Sequence, residues 1–313
     1  MRLPAGRAVR VLTPATSANL GPWFDALGLA LDLRDEVVVR ITTEPGVRVE
    51  VSGECADTVP RGPDHLVVSS LLRGLAAYGV EAPAEDGPGL LVDCTNRIPH
   101  GRGLGSSAAA IVAGLVAARA LAGSDEDDAR LLEHANRIEG HPDNVAAALL
   151  GGLTVAWTVD GTASAVTLAP AQDLCVVAFV PAVPVSTAVA RGLLPATVPH
   201  ADAARNAGRA ALMVVALTDR VDLLLAATDD LLHQGYRAPA MPESAALVAS
   251  LREAGVPAVV SGAGPTVLVL ADAETAARAA AEPRDGFATM PVAVSRSGAT
   301  AEVLPGSPGD PSG

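Results

Sequence analysis

Residues 99–110 read Pro-His-Gly-Arg-Gly-Leu-Gly-Ser-Ser-Ala-Ala-Ala. Alternating glycines, then paired serines, then an alanine run permit few backbones. Glycine adopts positive φ at no steric cost, so the first half reads as a tight loop. Alanine has the highest helix propensity, so a helix is expected over 107–121. Such a junction turns unpaired N–H groups, and roughly half a positive charge, toward whatever the loop encloses. Chemically this is a phosphate cradle. A plain glycine turn before a capped helix is the structural alternative. A dinucleotide fingerprint, Gly103-x-Gly105-x-x-Ala108, is a further formal match. That motif needs a strand directly before it and an acidic residue ending the next strand. Here Pro99 intervenes, and the element after the helix reads as another helix.

Composition narrows the chemistry. The chain has no lysine, so all 22 basic residues are arginine. Schiff-base chemistry and a Walker-A loop, both of which require lysine, are excluded. A phosphate must be held by backbone amides, arginine or a metal ion. The net charge of −13 argues against a broad nucleic-acid surface. Two Trp, two Tyr and three Phe are too few for base-stacking platforms and leave the core to Ala, Val and Leu. Cys55, Cys94 and Cys175 are widely spaced and read as reduced thiols. The start, Met1-Arg-Leu-Pro-Ala-Gly, has no apolar stretch, and no segment is long enough to span a bilayer. A cytoplasmic protein with no membrane or nucleic-acid partner is expected.

At about 150 residues per domain, 313 residues suggest two. Strands are expected over 9–12 (stopped by Pro14), 36–42, 47–51, 90–94, 153–159 and 174–180. Residues 13–25 read as loop, and 27–33 as a separate apolar run. Helices are expected over 64–78 with Asp64 as N-cap, 125–138 capped by Ser124, and from Pro142 to the Gly151-Gly152 pair. Further helices are expected over 202–217, 221–233, 244–254 and 271–282, with strand–turn–strand over 256–270. Residues 160–172 are small and polar. They mark a boundary between domains 1–170 and 171–313, with a disordered tail from about 305.

The pattern P-x-x-x-G-L-G-S-S-A-A over Pro99 to Ala109 resembles the GHMP kinases at every specified position. Two more blocks fall in that family's order. Residues 14–28, Pro-Ala-Thr-Ser-Ala-Asn-Leu-Gly-Pro-Trp-Phe-Asp-Ala-Leu-Gly, resemble its first motif. Residues 260–268, Val-Ser-Gly-Ala-Gly-Pro-Thr-Val-Leu, resemble its third. Within the family, Glu139-Gly-His-Pro-Asp-Asn-Val-Ala146, the block 185–191, Asn206 and the block 233–237 are similar to the branch that phosphorylates L-homoserine. The resemblance implies an α+β, two-domain fold. Its N-terminal part would be ribosomal-protein-S5-domain-2-like and its C-terminal part ferredoxin-like, with the site between. It also implies ATP and Mg²⁺, a place in threonine biosynthesis, and leaves a homodimer open. A sugar or mevalonate-type kinase, or a non-catalytic sensor on the same fold, remains as an alternative.

The resemblance further implies residue roles. ATP would be held by Pro99, Gly101, Arg102, Gly103, Leu104, Gly105, Ser106, Ser107, Ala108 and Ala109, with Asn96 and the region 67–70 near the adenine. Ser107 and Glu133, eight residues before His141, would hold Mg²⁺. Taken alone, Glu133 is a solvated helix glutamate. Homoserine is a zwitterion carrying a hydroxyl. Arg191 and Arg237 match its carboxylate clamp, Asp25 and Asp143 its ammonium side, and Asn19 and Asn144 its hydroxyl. Thr187, Gly262 and His141 complete the acceptor set, although His141 also reads as a helix cap or packed imidazole. Asp143 is the one carboxylate nominated as general base. Phosphoryl transfer through a loose transition state needs little deprotonation, so positioning and Mg²⁺ could suffice. At position 23 the family motif has glycine and this chain has tryptophan, whose ring points outward or narrows the acceptor pocket.

Overall fold

The first motif is part of a long strand pair, not a free loop. In the computed structural model, which describes residues 3–81 and 88–305, β1 (Ala8–Ala18) runs antiparallel to the 16-residue β2 (Leu27–Thr42). Pro14 was expected to stop the first strand. Instead the register jumps at Pro14/Ala15, where Pro14 faces Arg34 and Ala15 faces Leu31. A bulge of this kind tolerates the missing proline N–H. It also merges the two apolar runs of β2 into one strand.

After β3 (Val47–Gly53) and α1 (Leu66–Ala77), β4 (Gly89–Asn96) leads to the glycine loop and α2 (Ser106–Ala122). Then come α3 (Asp128–Glu139), α4 (Pro142–Leu150), β5 (Leu153–Val159) and β6 (Thr162–Leu168). The caps differ from expectation. Asp127, not Ser124, caps α3 by accepting from Arg130 N–H at 3.0 Å, and His65 rather than Asp64 precedes α1. The stretch expected as a polar boundary holds β6. Asp160 and Gly161, with φ of 50° and 80°, turn the chain back between Val159 and Thr162. An Asp-Gly pair suits such a two-residue hairpin.

The second part contains β7 (Cys175–Pro181), α5 (Thr187–Gly192), α6 (His200–Thr218) and the short α7 (Leu224–Ala227) and α8 (Gln234–Arg237). It continues through α9 (Pro242–Glu253), β8 (Ala258–Val260), β9 (Val267–Ala271), α10 (Ala273–Ala281), β10 (Phe287–Val292) and β11 (Thr300–Leu304). The helix expected over 221–233 is broken. The Asp230 carboxylate accepts from the N–H groups of Leu232, His233 and Gln234 instead of letting α7 continue. Strands β10 and β11 carry no clear alternation, so the sequence pattern does not mark them. The expected disordered tail falls almost wholly outside the described residues.

The order in the first sheet is β11-β1-β2-β4-β3, with β5 and β6 added along the start of β2. Among the described residues, only β3 and β4 pair in parallel. The second sheet is antiparallel, β10-β7-β9-β8. β11 therefore returns to the first sheet, so the chain crosses between the two sheets twice. Helices α1, α2 and α4 cover one face of the first sheet with Val, Leu and Ala. Gly114 lets α1 approach α2, since a Cβ there would lie 2.4 Å from the Val67 carbonyl oxygen. A second core joins the halves, with Leu20, Leu29 and Leu104 packed against Met213, Leu217 and Leu268. Among the described residues, Phe179 is the one fully buried Phe, Tyr or Trp of the cores. Among the described residues, no helix is long and apolar enough to cross a membrane.

Candidate active site

Hydrogen bonds bring the three sequence motifs to one place. Thr16 N–H donates to the Leu104 carbonyl at 3.0 Å, and Gly262 N–H to the Ala18 carbonyl at 2.8 Å. Ser261 Oγ lies 2.7 Å from Ser17 Oγ and 2.6 Å from the Gly103 carbonyl oxygen. The end of β1, the glycine loop and the β8–β9 turn thus form one rigid wall.

In that wall Gly101, Gly103 and Gly105 have φ of 65°, 74° and 71°. A Cβ on Gly105 would sit 1.9 Å from Thr16 Oγ1, and one on Gly103 2.1 Å from the Ser261 carbonyl oxygen. Both positions therefore require glycine twice over, for φ and for space. Gly105 precedes α2 without any side-chain cap, and the first turn of α2 holds no acidic residue. Its first amides are left facing a cavity. Alternating positive-φ backbone and an uncapped helix start are the two devices by which main chain binds anions.

That cavity has a volume of 370 Å³. Gly101, Gly103, Gly105, Ser106 and Ser107 form one side, and Thr187, Arg191, Arg237, Gly262, Asn19, Asn144 and His141 form the other. A neighbouring 280 Å³ cavity shares Gly101, Ser106 and Ser107 and is lined by His65, Val67, Asn96 and Ala109. The nominated residues Pro99, Arg102, Leu104 and Ala108 line neither. Arg102 gives one donor from each side-chain nitrogen to the carbonyls of Pro181, His100 and Ala182, so it straps the loop to the end of β7. Leu104 and Ala108 are buried in the cores. Among 67–70 Val67 reaches the smaller cavity, while Ser70 is buried away from it.

The pairing expected between Ser107 and Glu133 is replaced. Ser107 Oγ donates to Glu139 Oε1 at 2.7 Å, and Glu139 lines the cavity. Glu133 instead accepts from Arg130 at 2.9 Å and Arg137 at 3.4 Å, within its own helix. The Glu139-Gly140 step ends α3, with Gly140 at φ 91°, and sets Glu139 beside the start of α2. Spacing from His141 points to Glu133, whereas the carboxylate of α3 that reaches Ser107 is Glu139. Sequence did carry a signal for Glu139, since that residue opens the Glu-Gly-His-Pro-Asp-Asn block. A hydroxyl and a carboxylate beside a phosphate cradle are hard oxygen donors of the kind Mg²⁺ takes.

On the acceptor side Arg191 clasps Asp25 through two hydrogen bonds of 2.6 and 3.0 Å. Asp25 N–H donates to Asn19 Oδ1 at 2.7 Å. Arg237 is fully buried. Its Nη1 donates to the Gly262 carbonyl at 3.2 Å, while Nε and Nη2 have no hydrogen-bond partner among the described residues. Burial works against its charge. Such a group calls for an anion. Asp143 is also fully buried, with Oδ1 accepting from Asn144 N–H at 2.7 Å and lying 3.1 Å from His141 Nδ1. Its Oδ2 has no hydrogen-bond partner among the described residues. The Asp143 hydrogen bond pushes His141 above the usual histidine range. Asp25 and Asp143 thus stand one bond behind the cavity wall. Asn144 Oδ1 accepts from Thr16 Oγ1 at 2.8 Å, so its amide is aimed by β1.

Trp23 turns away from the cavity. Its Nε1 donates to the Ala210 carbonyl of α6 at 2.6 Å, and the ring packs on the core between the halves. Asn206 braces the same loop, donating to the Pro22 carbonyl at 2.9 Å.

The chain matches the GHMP kinases N terminal domain over residues 66–152 and the GHMP kinases C terminal domain over 213–288. Fold and cradle define the class, an ATP-dependent kinase of small molecules. The homoserine kinase of Streptomyces coelicolor is 56% identical over 307 residues, 96% of this chain and 97% of that protein. That of Mycobacterium tuberculosis is 51% identical over 276 residues, 86% of this chain and 85% of that protein. A crystal structure of homoserine kinase from Cytophaga hutchinsonii superposes with TM-score 0.83 at 28% identity, covering 94% of this chain and 97% of that one. The chain belongs to the GHMP kinase family, in its homoserine kinase branch.

Proposed function

We infer that this protein transfers the γ-phosphoryl group of ATP to the hydroxyl of L-homoserine, a step toward threonine. One observation carries the acceptor: a cavity beside the phosphate cradle places two arginines next to buried or paired aspartates. A zwitterion is the small alcohol that uses both signs. Sugars and mevalonate-type acceptors would leave at least one of them unmatched. The relatives named homoserine kinase, at 50–56% identity, support the same reading.

The residues divide the work as follows. Amides of the glycine loop and the start of α2 hold the triphosphate, with Ser106 and Ser107 hydroxyls at its mouth. The adenine sits in the smaller cavity against Val67, Ala109 and Asn96. Ser107 and Glu139 hold Mg²⁺, which when bound offsets charge on the phosphate oxygens. Arg237 and Arg191 take the homoserine carboxylate, Asp25 and Asp143 offset its ammonium from just behind the wall, and Asn19, Asn144 and His141 aim the hydroxyl, with Thr187 and Gly262 closing the wall. Positioning carries the transfer, so Asp143 acts by binding more than by removing a proton. A cytoplasmic homodimer belongs to the same proposal and is read by sedimentation of the purified protein.

The direct test is ADP release from Mg-ATP with homoserine, mevalonate or galactose supplied separately. Turnover with homoserine alone is expected. Release with all three or none would remove this acceptor assignment.

A further inference from the structure

Phe24 is half-buried in the loop after β1, between Trp23 and Asp25. Its ring has the Arg237 guanidinium carbon 5.1 Å from the centroid and that of Arg191 at 5.4 Å. His233 lies against it as well, at 5.4 Å between centroids and tilted by 33°. We propose that Phe24 is a positioning residue for the acceptor, an aromatic ring that both guanidinium groups pack against so that they close together on a carboxylate. This rests on the homoserine reading above.

Two like charges brought into one cavity repel each other. Arg191 has its carboxylate, Asp25. Arg237 has no acidic partner within ion-pair distance among the described residues; its Nη1 meets only the Gly262 carbonyl at 3.2 Å and His233 Nδ1 at 3.4 Å. Asp25, Asp230 and Asp143 offset that buried charge from beyond contact distance, and at contact the electron-rich face of Phe24 adds to them. An aliphatic side chain would fill the space without supplying that field.

The ring is itself held from both sides. On one side Trp23 is anchored to the Ala210 carbonyl. On the other, Asp25 sits at φ 54° with its N–H on Asn19 Oδ1. His233, which backs the ring, is fixed by Nε2 at 2.7 Å from the Gly21 carbonyl oxygen. Both arginines are long and flexible, so a fixed platform removes rotamer freedom that binding would otherwise have to remove.

The test compares Phe24→Leu with Phe24→Tyr. Leu is expected to raise the homoserine KM about tenfold, with kcat and the ATP KM within about twofold. Tyr, which keeps the ring, is expected to restore the homoserine KM to within about twofold of the parent. The ligand-free crystal structure of Phe24→Leu gives a second reading that needs no substrate: Arg237 should leave the Gly262 carbonyl. An unchanged homoserine KM, an equal rise in both KM values, failure of Tyr to restore, or both arginines unmoved in that crystal would each overturn the proposal. If the parent protein does not turn over homoserine, the functional reading falls, and the crystal alone decides the role of Phe24.

Discussion

Arg191 and Asp25, 166 residues apart, bind each other through two parallel hydrogen bonds of 2.6 and 3.0 Å. Both were expected to touch the substrate, one its carboxylate and the other its ammonium. Without substrate each serves as the other's counter-ion, so the zwitterion replaces one internal pair by two external ones. Removing Asp25 should therefore act on acceptor affinity. Asp25→Ala is expected to raise the homoserine KM roughly 10- to 100-fold, the worth of one charged hydrogen bond of ~1.5–3 kcal/mol, and to leave the ATP KM alone. A hydroxy acid lacking the ammonium should suffer a comparable loss with the parent protein. Initial rates against both substrates check this, and an altered ATP KM with normal homoserine KM would contradict it.

The Ser107–Glu139 contact predicts which glutamate serves the cation. Glu139→Gln should raise the Mg²⁺ concentration for half-maximal rate at least roughly tenfold. Glu133→Gln, which loosens only the pairing with Arg130 and Arg137, should keep the parent's Mg²⁺ curve. Titration of rate against Mg²⁺ at fixed ATP separates the two, and the opposite ranking would return the role to Glu133.

Trp23 packs between the halves instead of against the acceptor. Trp23→Gly is expected to cost stability, roughly 2 kcal/mol for a half-buried ring and its hydrogen bond. The homoserine KM should change by less than about twofold, or ~0.4 kcal/mol. Denaturant unfolding and steady-state kinetics read the two separately. A large KM change in a fully stable variant would put the ring back in the pocket.

His65 is buried at the start of α1, and burial, with the nearby His100, lowers its pKa from 6.5. The unfolded chain then binds more protons than the folded one just below pH 6.5. Its contribution is fully present above that pH and is lost as pH falls through the lowered folded value. Stability should decline on acidification, and His65→Gln should flatten that decline. Denaturation midpoints across the acid range measure it; identical slopes in both proteins would clear His65 of the effect.

Much of the site was legible in sequence because the chemistry is local. Positive φ at Gly101, Gly103 and Gly105 and the uncapped start of α2 follow from residue types within a dozen positions. Those positions also carried the family resemblance. The absence of lysine left backbone amides, arginine and a cation as the phosphate-holding devices.

What the tertiary structure alone decided is where long side chains point. Glu133 and Glu139 lie on one helix but roughly 120° apart around it, so the docking of α3 on α2 selects between them. Arg102 sits in the cradle motif, yet carbonyls at the end of β7 hold its guanidinium there. The outward turn of Trp23 depends on a carbonyl in α6. Pro14 could stay within β1 because β2 supplied a bulge, and β11 found its place because β1 had a free edge. In each case the partner lies far along the chain. Residue identity sets what a group can do nearby, but only packing brings distant groups within reach.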